Sequence, residues 1–347
     1  MSKSKNNGAP KTIETENWVE DIFNPYNVNA KPFLKWAGGK SQLLKVFRML
    51  YPEGLSQGMI TEYFEPFLGS GAVFFDVAQK FNIKKAYLYD LNPDLILTYQ
   101  VIQRHVGKLI NTLKELEKRY YELDTIKRNE FYYQKRETYN LERLKINFNE
   151  FSPEWIEHAA LFIFLNRTCY NGLFRVNSKG EFNSPAGRYS NPTICDEVNL
   201  LAVNKVLQLA EIKMGDFSIV TNDIKFPAES FVYFDPPYRP LSKTSNFTSY
   251  YNNGFNDFQQ KRLADLFAKL DDMGVSLMLS NSDPKNVNPS DNFFDELYRN
   301  FNIMRTPANR MINSVAAKRG VINELIITNY YNKAWRKAQK EIKQGIF

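Results

Sequence analysis

The sequence predicts an α/β fold with a mixed, mainly parallel sheet. Short apolar and aromatic segments, typical of buried strands, alternate along the chain with longer segments typical of helices. Two strand candidates end in an acid, at Asp90 and Asp235, and a third ends before a glycine-rich turn at 69–71. Because open α/β folds bind ligands at the carboxyl ends of parallel strands, the sequence places a candidate site at that edge of the sheet.

Each element follows from its local composition. Strands are predicted where β-branched and aromatic residues cluster, and helices where apolar residues recur every three or four positions. The predicted strands are Glu62–Phe64, Tyr87–Asp90, Glu211–Met214, Phe231–Phe234, Val275–Ser280 and Val321–Tyr331. The predicted helices are a stretch through Leu43–Leu50, Ala72–Ala78, most of 94–165, a segment from Asn204, and Asp257–Met273.

The composition favours a folded protein that acts on a polyanion. The 347 residues carry 45 Lys and Arg against 38 Asp and Glu, a net charge of +7. The two cysteines and two histidines form no metal-ligand cluster, so no metal site is expected. No secretory signal and no apolar run near about 18 residues is present, which predicts a cytoplasmic protein without a membrane partner.

The segment FVYFDPPY joins a buried strand to an acid, two prolines and an aromatic ring. Pro236 and Pro237 lack the amide hydrogen that a strand needs, so Asp235 and Tyr238 lie just beyond the strand end. This arrangement suits methyl transfer to the amino nitrogen of a planar base or amide. The Asp235 carboxylate and the Pro236 carbonyl can accept hydrogen bonds from the amino group, while Tyr238 stacks on the ring. The alternative is a strand that ends in a proline turn with a helix-capping aspartate.

The N-terminal half contains the features of a nucleoside site. The turn at Gly38-Gly39 with Lys40 can receive an anionic group, and Trp36 offers a flat apolar surface. The loop Glu65–Gly71 is followed, one helix later, by Asp90, whose carboxylate can bind ribose hydroxyls. Two glycines rather than three indicate a nucleoside cofactor without a long pyrophosphate, as in S-adenosylmethionine. A plain βαβ unit whose acid caps the next helix is the alternative.

Two further segments complete the predicted site. Asp216-Phe217, at another strand end, can contact the adenine of a nucleoside, and the polar stretch 239–255 is expected to form a loop beside the substrate. The hairpin segment, 166–192, is rich in Asn, Gly, Arg and aromatic residues. A β-hairpin around Asn177–Gly180 would present these residues to a DNA major groove. The alternative interpretation is a hairpin loop with a purely structural role.

Taken together, these segments resemble the Dam-type DNA adenine N6-methyltransferases, most closely the GATC-methylating members of the alpha group. The resemblance runs from about Pro32 to Tyr331, in the order of the family. The strings that carry it are FLKWAGGK, EPFLGSGAVF, LYDLNPDL, LNRTCYNGLFRVNSKGEFNSPAGRY, YFDPPYRPLSKTSNFTSY and LSNSD. The departures are the N-terminal extension before Lys31 and a helical stretch around Leu113–Trp155 that is longer than in the shortest members.

The resemblance implies a Rossmann-like S-adenosylmethionine-dependent methyltransferase fold with an inserted, mainly helical target-recognition domain that carries a β-hairpin. The catalytic and cofactor-binding domain would comprise 29–103 and 206–333, and the inserted domain 104–205. A mobile extension at 1–28 and a basic tail at 334–347 would flank them.

Residue roles also follow from the resemblance. The residues expected to bind S-adenosylmethionine, and its product S-adenosylhomocysteine, are Trp36, Lys40, Glu65, Pro66, Phe67, Gly69, Gly71, Asp90, Asp216, Phe217 and Asp235. Those expected to hold the flipped adenine are Asp235, Pro236 and Tyr238. Those expected to contact DNA are Asn171, Leu173, Arg175, Pro185, Arg188 and Tyr189, with Arg175 reading a guanine of GATC and Tyr189 entering the duplex as the adenine leaves.

The expected partner is double-stranded DNA, and the expected state is a monomer or a weak dimer. A cognate restriction endonuclease acting on the same site is an open alternative to a solitary methylase. Methylation of RNA or of a protein glutamine is the nearest rival activity, because a planar amide presents the same amino group. A DNA-binding protein without turnover is the rival from another class, and the intact segment Asp235–Tyr238 disfavours it.

Overall fold

A computed structural model describes residues 29–239, 255–309 and 321–331 of the chain. The predicted N-terminal extension, the basic C-terminal tail and most of the polar stretch 239–255 lie outside these residues.

Within the described residues, seven strands form a single sheet in the order β3-β2-β1-β4-β5-β7-β6. The strands are β1 (Glu62–Glu65), β2 (Lys85–Asp90), β3 (Ala210–Met214), β4 (Ser230–Phe234), β5 (Ser276–Ser282), β6 (Asn302–Asn309) and β7 (Val321–Thr328). The first five pair in parallel, while β7 runs antiparallel to both β5 and β6. The prediction of a mixed, mainly parallel sheet is therefore confirmed.

Helices precede the first strand and connect most of the others. They are α1 (Leu44–Leu50), α2 (Glu53–Ser56), α3 (Ala72–Lys80), α4 (Pro93–Tyr121), α5 (Thr125–Arg143), α6 (Glu154–Thr168), α7 (Glu197–Leu207), α8 (Val220–Asp223), α9 (Asp257–Asp272) and α10 (Phe293–Leu297). The helix expected from Asn204 thus begins earlier, at Glu197. Inside α4, His105 has non-helical dihedral angles, which kinks the helix next to the predicted domain boundary at 103/104.

The side chains of β4 show how the sheet is buried on both faces. Phe231 and Tyr233 pack into a core on one face, while Val232 and Phe234 pack into a second core on the other. Side chains alternate along a strand, so this fully apolar strand must be covered on both sides. Phe164 of α6 belongs to the first core, where its ring contacts Tyr120 of α4 and Phe131 of α5. Burial of each such aromatic ring stabilises the fold by about 1.5–3 kcal/mol.

The predicted hairpin around Asn177–Gly180 is present in a minimal form. Gly180 adopts a left-handed φ of 78°, and Val176 and Phe182 form an antiparallel bridge. The Asn183 amide donates to the Arg175 carbonyl at 2.9 Å. The arms are joined by an isolated bridge rather than a strand ladder.

Candidate active site

A cleft of about 360 Å³ opens at the carboxyl ends of β1, β2 and β4. It brings together most of the side chains that the sequence assigned to cofactor or substrate. The predicted residues that line it are Trp36, Lys40, Glu65, Pro66, Phe67, Gly69, Asp90, Phe217, Asp235, Pro236 and Tyr238. Gly71 and Asp216 are not among its lining residues. The ends of these parallel strands therefore surround one cleft, and the roles of the residues that line it stay predictions.

Asp235 follows β4 directly and reaches the wall of the cleft with 19% of its side chain exposed. Its Oδ1 lies 2.8 Å from the Lys40 ammonium and accepts a hydrogen bond from the Ser280 hydroxyl at 3.0 Å. Burial raises the pKa of the Asp235 carboxyl above its usual range, while the Lys40 charge and these hydrogen bonds act in the opposite direction. The Asp235 carboxyl group is therefore held in place through its Oδ1 atom.

Lys40 touches both ends of the acid-Pro-Pro-aromatic segment. It begins a short 3-10 turn after Gly38, whose φ of 80° lets the chain reverse, and it also donates to the Gly38 carbonyl. Its ammonium lies 4.6 Å from the centre of the Tyr238 ring, a cation-π distance. One buried cation therefore sets the position of the Asp235 carboxylate relative to the Tyr238 ring.

Two side chains hold the backbone of the same segment. The Gln260 amide of α9 donates to the Pro237 carbonyl at 3.3 Å, and the Asn281 amide of β5 donates to Gln260 at 3.2 Å. The Arg239 backbone amide donates to Asn281 at 3.4 Å. The held carbonyl is one residue beyond Pro236, the carbonyl expected to accept from substrate. Gln260 and Asn281 are themselves buried, so these contacts hold the end of the strand from inside the core.

Tyr238 is oriented by a residue that sequence reasoning did not identify. Its hydroxyl donates to the Glu324 carboxylate at 2.7 Å. Glu324 lies on β7, opposite Ser282 of β5 and Thr306 of β6. Burial raises the pKa of both the Tyr238 hydroxyl and the Glu324 carboxyl.

Asp90 holds the glycine-rich loop in place. Its carboxylate accepts from the Gly69 amide at 3.0 Å and from the Asn92 amide at 2.9 Å, and Asn92 caps α4. Burial raises the pKa of Asp90, and the backbone hydrogen bonds act against that rise. A Cβ on Gly69 would lie 3.0 Å from the Trp36 ring, and one on Gly71 would lie 2.8 Å from the Tyr99 hydroxyl. The loop can approach the cleft this closely only with glycine at both positions.

An aromatic wall closes one side of the cleft. Phe67 and Phe217 stack with ring centres 5.5 Å apart, and Phe255 packs edge-on against both. Neighbouring Asp216 instead accepts from the Ser218 amide and pairs with Arg262 at 3.1 Å. The flat surface of this wall comes from the phenylalanines, and the Asp216 carboxylate stabilises the turn that presents Phe217.

Glu65 is buried at the base of the cleft. It accepts from the Tyr63 hydroxyl at 2.8 Å, and burial raises the pKa of its carboxyl well above the usual value.

The predicted DNA-contacting residues lie along the hairpin segment. Asn171 has a left-handed φ of 57° and is exposed, as are Arg175, Pro185 and Arg188, whereas Leu173 and Tyr189 are partly covered. The Nε of Arg175 donates to the Asn183 side chain at 2.9 Å. Lys35 lies 4.4 Å from the Tyr189 ring centre. Four of the six predicted residues are therefore exposed on the hairpin segment.

One aromatic stack joins the hairpin segment to the cleft. Trp36, which lines the cleft, stacks on Phe174 with ring centres 5.7 Å apart and an interplanar angle of 16°. Asn166 donates to the carbonyls of both Lys35 and Gly172. The chain before the Gly38 turn is therefore in direct contact with the hairpin segment.

The comparison with protein families decides the identity of the chain. Residues 36–312 match the D12 class N6 adenine-specific DNA methyltransferases. The chain belongs to this family. The resemblance to Dam-type enzymes is thereby confirmed at the level of the family, and the protein is an adenine-specific DNA methyltransferase. The family implies a methyl donor of the S-adenosylmethionine type and a DNA substrate.

Named relatives agree with this assignment. A type II methyltransferase of Methanocaldococcus jannaschii is 50% identical over 304 residues, covering 87% of this chain and 100% of the relative. A type II methyltransferase of Lactococcus lactis subsp. cremoris is 38% identical over 90% of this chain and 100% of its own length. The DNA adenine methylase of Escherichia coli K12 is 31% identical over 85% of this chain and 94% of its own.

Several contacts in the cleft of this methyltransferase were not anticipated from sequence. Ser280, Gln260 and Glu324 hold the catalytic candidates, and Phe255 adds to the aromatic wall. Ser280 lies in the string LSNSD, which the resemblance had already picked out without a role. Gln260 and Glu324 carry no local signal, whereas Phe255 is the last residue of the stretch 239–255 that was expected to form a loop beside the substrate.

The described ranges of this methyltransferase contain no cluster of three or more His, Cys, Asp or Glu side chains arranged to hold a metal ion. No helix in 29–239, 255–309 or 321–331 is long and apolar enough to cross a membrane.

Proposed function

We propose that this methyltransferase transfers the methyl group of S-adenosylmethionine to N6 of an adenine flipped out of duplex DNA, within the sequence GATC. The observation that carries the proposal is the Asp235 carboxylate, held 2.8 Å from Lys40 at the end of β4 and flanked by the Tyr238 ring. An amino group bound there meets an acceptor and a stacking surface together. The GATC preference is proposed because the hairpin segment resembles that of the GATC-methylating enzymes.

The residues of the cleft fit S-adenosylmethionine. The aromatic wall of Phe67, Phe217 and Phe255 offers a flat apolar surface for an adenine ring. The buried carboxyl groups of Glu65 and Asp90 line the same cleft and offer oxygen acceptors for the hydroxyl and amino groups of the cofactor. The bound cofactor supplies a methyl group already activated by its positive sulfur. The protein therefore needs to align the acceptor nitrogen rather than to activate the donor.

The target adenine is held by the segment after β4. Both Lys40 and Ser280 contact Oδ1 of Asp235, so we assign the hydrogen bond from the N6 amino group to Oδ2. That bond, with one to the Pro236 carbonyl, draws the nitrogen lone pair out of the ring toward the methyl group. Tyr238 stacks on the base, and the extra proton of the methylated amine leaves to water.

Sequence reading is assigned to the inserted domain, 104–205. The Asn183 contact holds Nε of Arg175, which leaves its two terminal nitrogens for guanine O6 and N7. Asn171, Leu173, Pro185 and Arg188 provide further contacts, and Tyr189 enters the space that the flipped adenine vacates. The type II names of two relatives favour a cognate restriction endonuclease as a partner in the cytoplasm.

The test is transfer of a tritiated methyl group from S-adenosylmethionine to a duplex with one GATC, against the same duplex with GTTC. Label in the first duplex alone supports both the chemistry and the specificity. Equal label in both, with other adenines present, retains adenine methylation and overturns the GATC assignment. No label in either duplex overturns the proposal, and RNA and glutamine peptides then become the substrates to assay.

A further inference from the structure

The hydroxyl of Tyr238 and the carboxylate of Glu324 form a hydrogen bond of 2.7 Å between residues 86 positions apart. Tyr238 belongs to the loop after β4, whereas Glu324 belongs to β7, two strands away in the sheet. The contact therefore links the proposed base-stacking ring to the antiparallel part of the sheet. No other step in the proposed mechanism uses Glu324.

The Tyr238 ring is held at two points. The Lys40 ammonium lies 4.6 Å from the ring centre, and the Glu324 carboxylate binds the hydroxyl at the far end of the ring. Lys40 also lies 2.8 Å from Asp235. A ring held at its face and at its tip cannot rotate freely, so its plane is fixed relative to the carboxylate that receives the amino group.

The protonation states suit a donor and an acceptor. Burial and the neighbouring carboxylates keep the pKa of the Tyr238 hydroxyl well above its usual value, so the hydroxyl remains a donor.

The main chain of β7 pairs with β5 and β6 regardless of the side chain at position 324. Loss of the carboxylate would therefore leave the sheet in place.

We propose that Glu324 is a positioning residue for methyl transfer, acting through Tyr238. It fixes the plane of the ring so that an adenine stacked there presents its amino group to Oδ2 of Asp235. This inference rests on the proposed function and adds a residue to it. A base misplaced by about 1 Å can lower the rate of a chemical step about 10²-fold.

The experiment measures single-turnover methylation of the GATC duplex by wild type, Glu324→Ala, Glu324→Gln, Tyr238→Phe and the double variant Glu324→Ala/Tyr238→Phe. We expect Glu324→Ala and Tyr238→Phe each to slow transfer about 10- to 100-fold, with unchanged affinity for S-adenosylmethionine. Glu324→Gln keeps an oxygen acceptor and should stay within about threefold of wild type. The double variant should be no slower than the slower single variant, because both remove one contact.

The matched control is Glu211→Ala, which removes a carboxylate from β3, an edge strand five positions from β7 in the sheet, and should keep the wild-type rate. Wild-type rate in Glu324→Ala, multiplied losses in the double variant, or a Glu324→Gln rate as low as that of Glu324→Ala would each overturn the inference. If Glu324→Ala does not fold by circular dichroism, Glu324→Gln and Tyr238→Phe decide it. A wild type that methylates no adenine duplex overturns the proposed function as well.

Discussion

The cleft and the hairpin segment differ in how their side chains are held. In the cleft, Asp235, Lys40 and Tyr238 are fixed by contacts with one another and with buried neighbours. In the hairpin segment, Arg175 and Arg188 are exposed. Methyl transfer to a weakly nucleophilic nitrogen needs side chains that are aligned before the substrate binds. Exposed side chains that read the DNA sequence can instead become ordered when the DNA binds. We therefore expect substitutions in the cleft to lower the rate of methyl transfer, and substitutions in the hairpin segment to lower selectivity for the DNA sequence.

The largest effect is expected at Asp235. Asp235→Asn keeps the size of the side chain and an acceptor for Ser280 but removes the charge that faces the amino group. We expect the single-turnover rate to fall by about 10²–10³-fold or more, while affinity for DNA changes little. Rapid-quench assays with labelled cofactor measure the rate, and gel-shift titration measures DNA affinity. A near-wild-type rate would remove Asp235 from the mechanism.

Lys40 should control how the rate of methyl transfer depends on pH. Burial raises the pKa of Asp235 and the Lys40 charge lowers it, so Lys40→Met should raise that pKa further. Because the ionised carboxylate is the active form, the acidic limb of the rate profile should move to higher pH. Activity is then lost first at low pH and is best preserved at alkaline pH. Single-turnover rates between about pH 5 and 9 measure the shift.

The control for this variant is Lys213→Met, which breaks an ion pair with Asp223, and neither residue lines the cleft. Its acidic limb should coincide with that of wild type. An acidic limb that stays in place, or moves to lower pH, in Lys40→Met would contradict the assigned electrostatics.

Arg175 should affect selectivity. Arg175→Ala is expected to lose about 1–3 kcal/mol of discrimination at one guanine of the site while retaining transfer to the cognate sequence at high DNA concentration. Asn183→Ala, which releases Nε of Arg175, should cause a smaller loss in the same direction. Competition between duplexes that differ at that guanine measures both. Equal weakening on all sequences would make Arg175 a phosphate contact instead.

The smallest effect tests whether the two regions are independent. Phe174→Leu removes the stack on Trp36, worth about 0.5–1.5 kcal/mol, and should weaken both cofactor binding and DNA binding. Phe182→Leu is the matched control, since Phe182 packs on Phe174, and Trp36 has no ring contact with it among the described residues. Calorimetric titration with S-adenosylmethionine and with duplex DNA compares them. A change in only one affinity would separate the regions.

The site was predictable where position along a strand determines position in space. Asp90 ends one parallel strand and Asp235 directly follows another. Because the carboxyl ends of parallel strands lie at one edge of a sheet, the sequence predicts that both carboxyl groups lie at that edge. The roles of Trp36 and Lys40 came from a glycine turn and from resemblance. Asp216 shows the limit of that reasoning, because its carboxylate is engaged by the turn that it begins.

Elements in the antiparallel part of the sheet were harder to predict. β6 was missed because it is an edge strand that contains Pro307 and polar residues, and a proline is tolerated where one side of a strand is unpaired. The Glu324 contact depends on β7 lying beside β5, which no local pattern encodes. Sequence periodicity reports local burial, whereas such pairings are set by the whole fold.

The order of strands in the sheet has a consequence for synthesis of the protein. β7 is the last described strand in the chain, yet it lies between β5 and β6. While the chain emerges from the ribosome, β5 is an open edge, and β6 has no neighbour among the described strands until β7 arrives. An open edge invites pairing with other chains. Until β7 pairs with both strands, β5 and β6 are therefore the edges at which a partly folded chain is most exposed to aggregation.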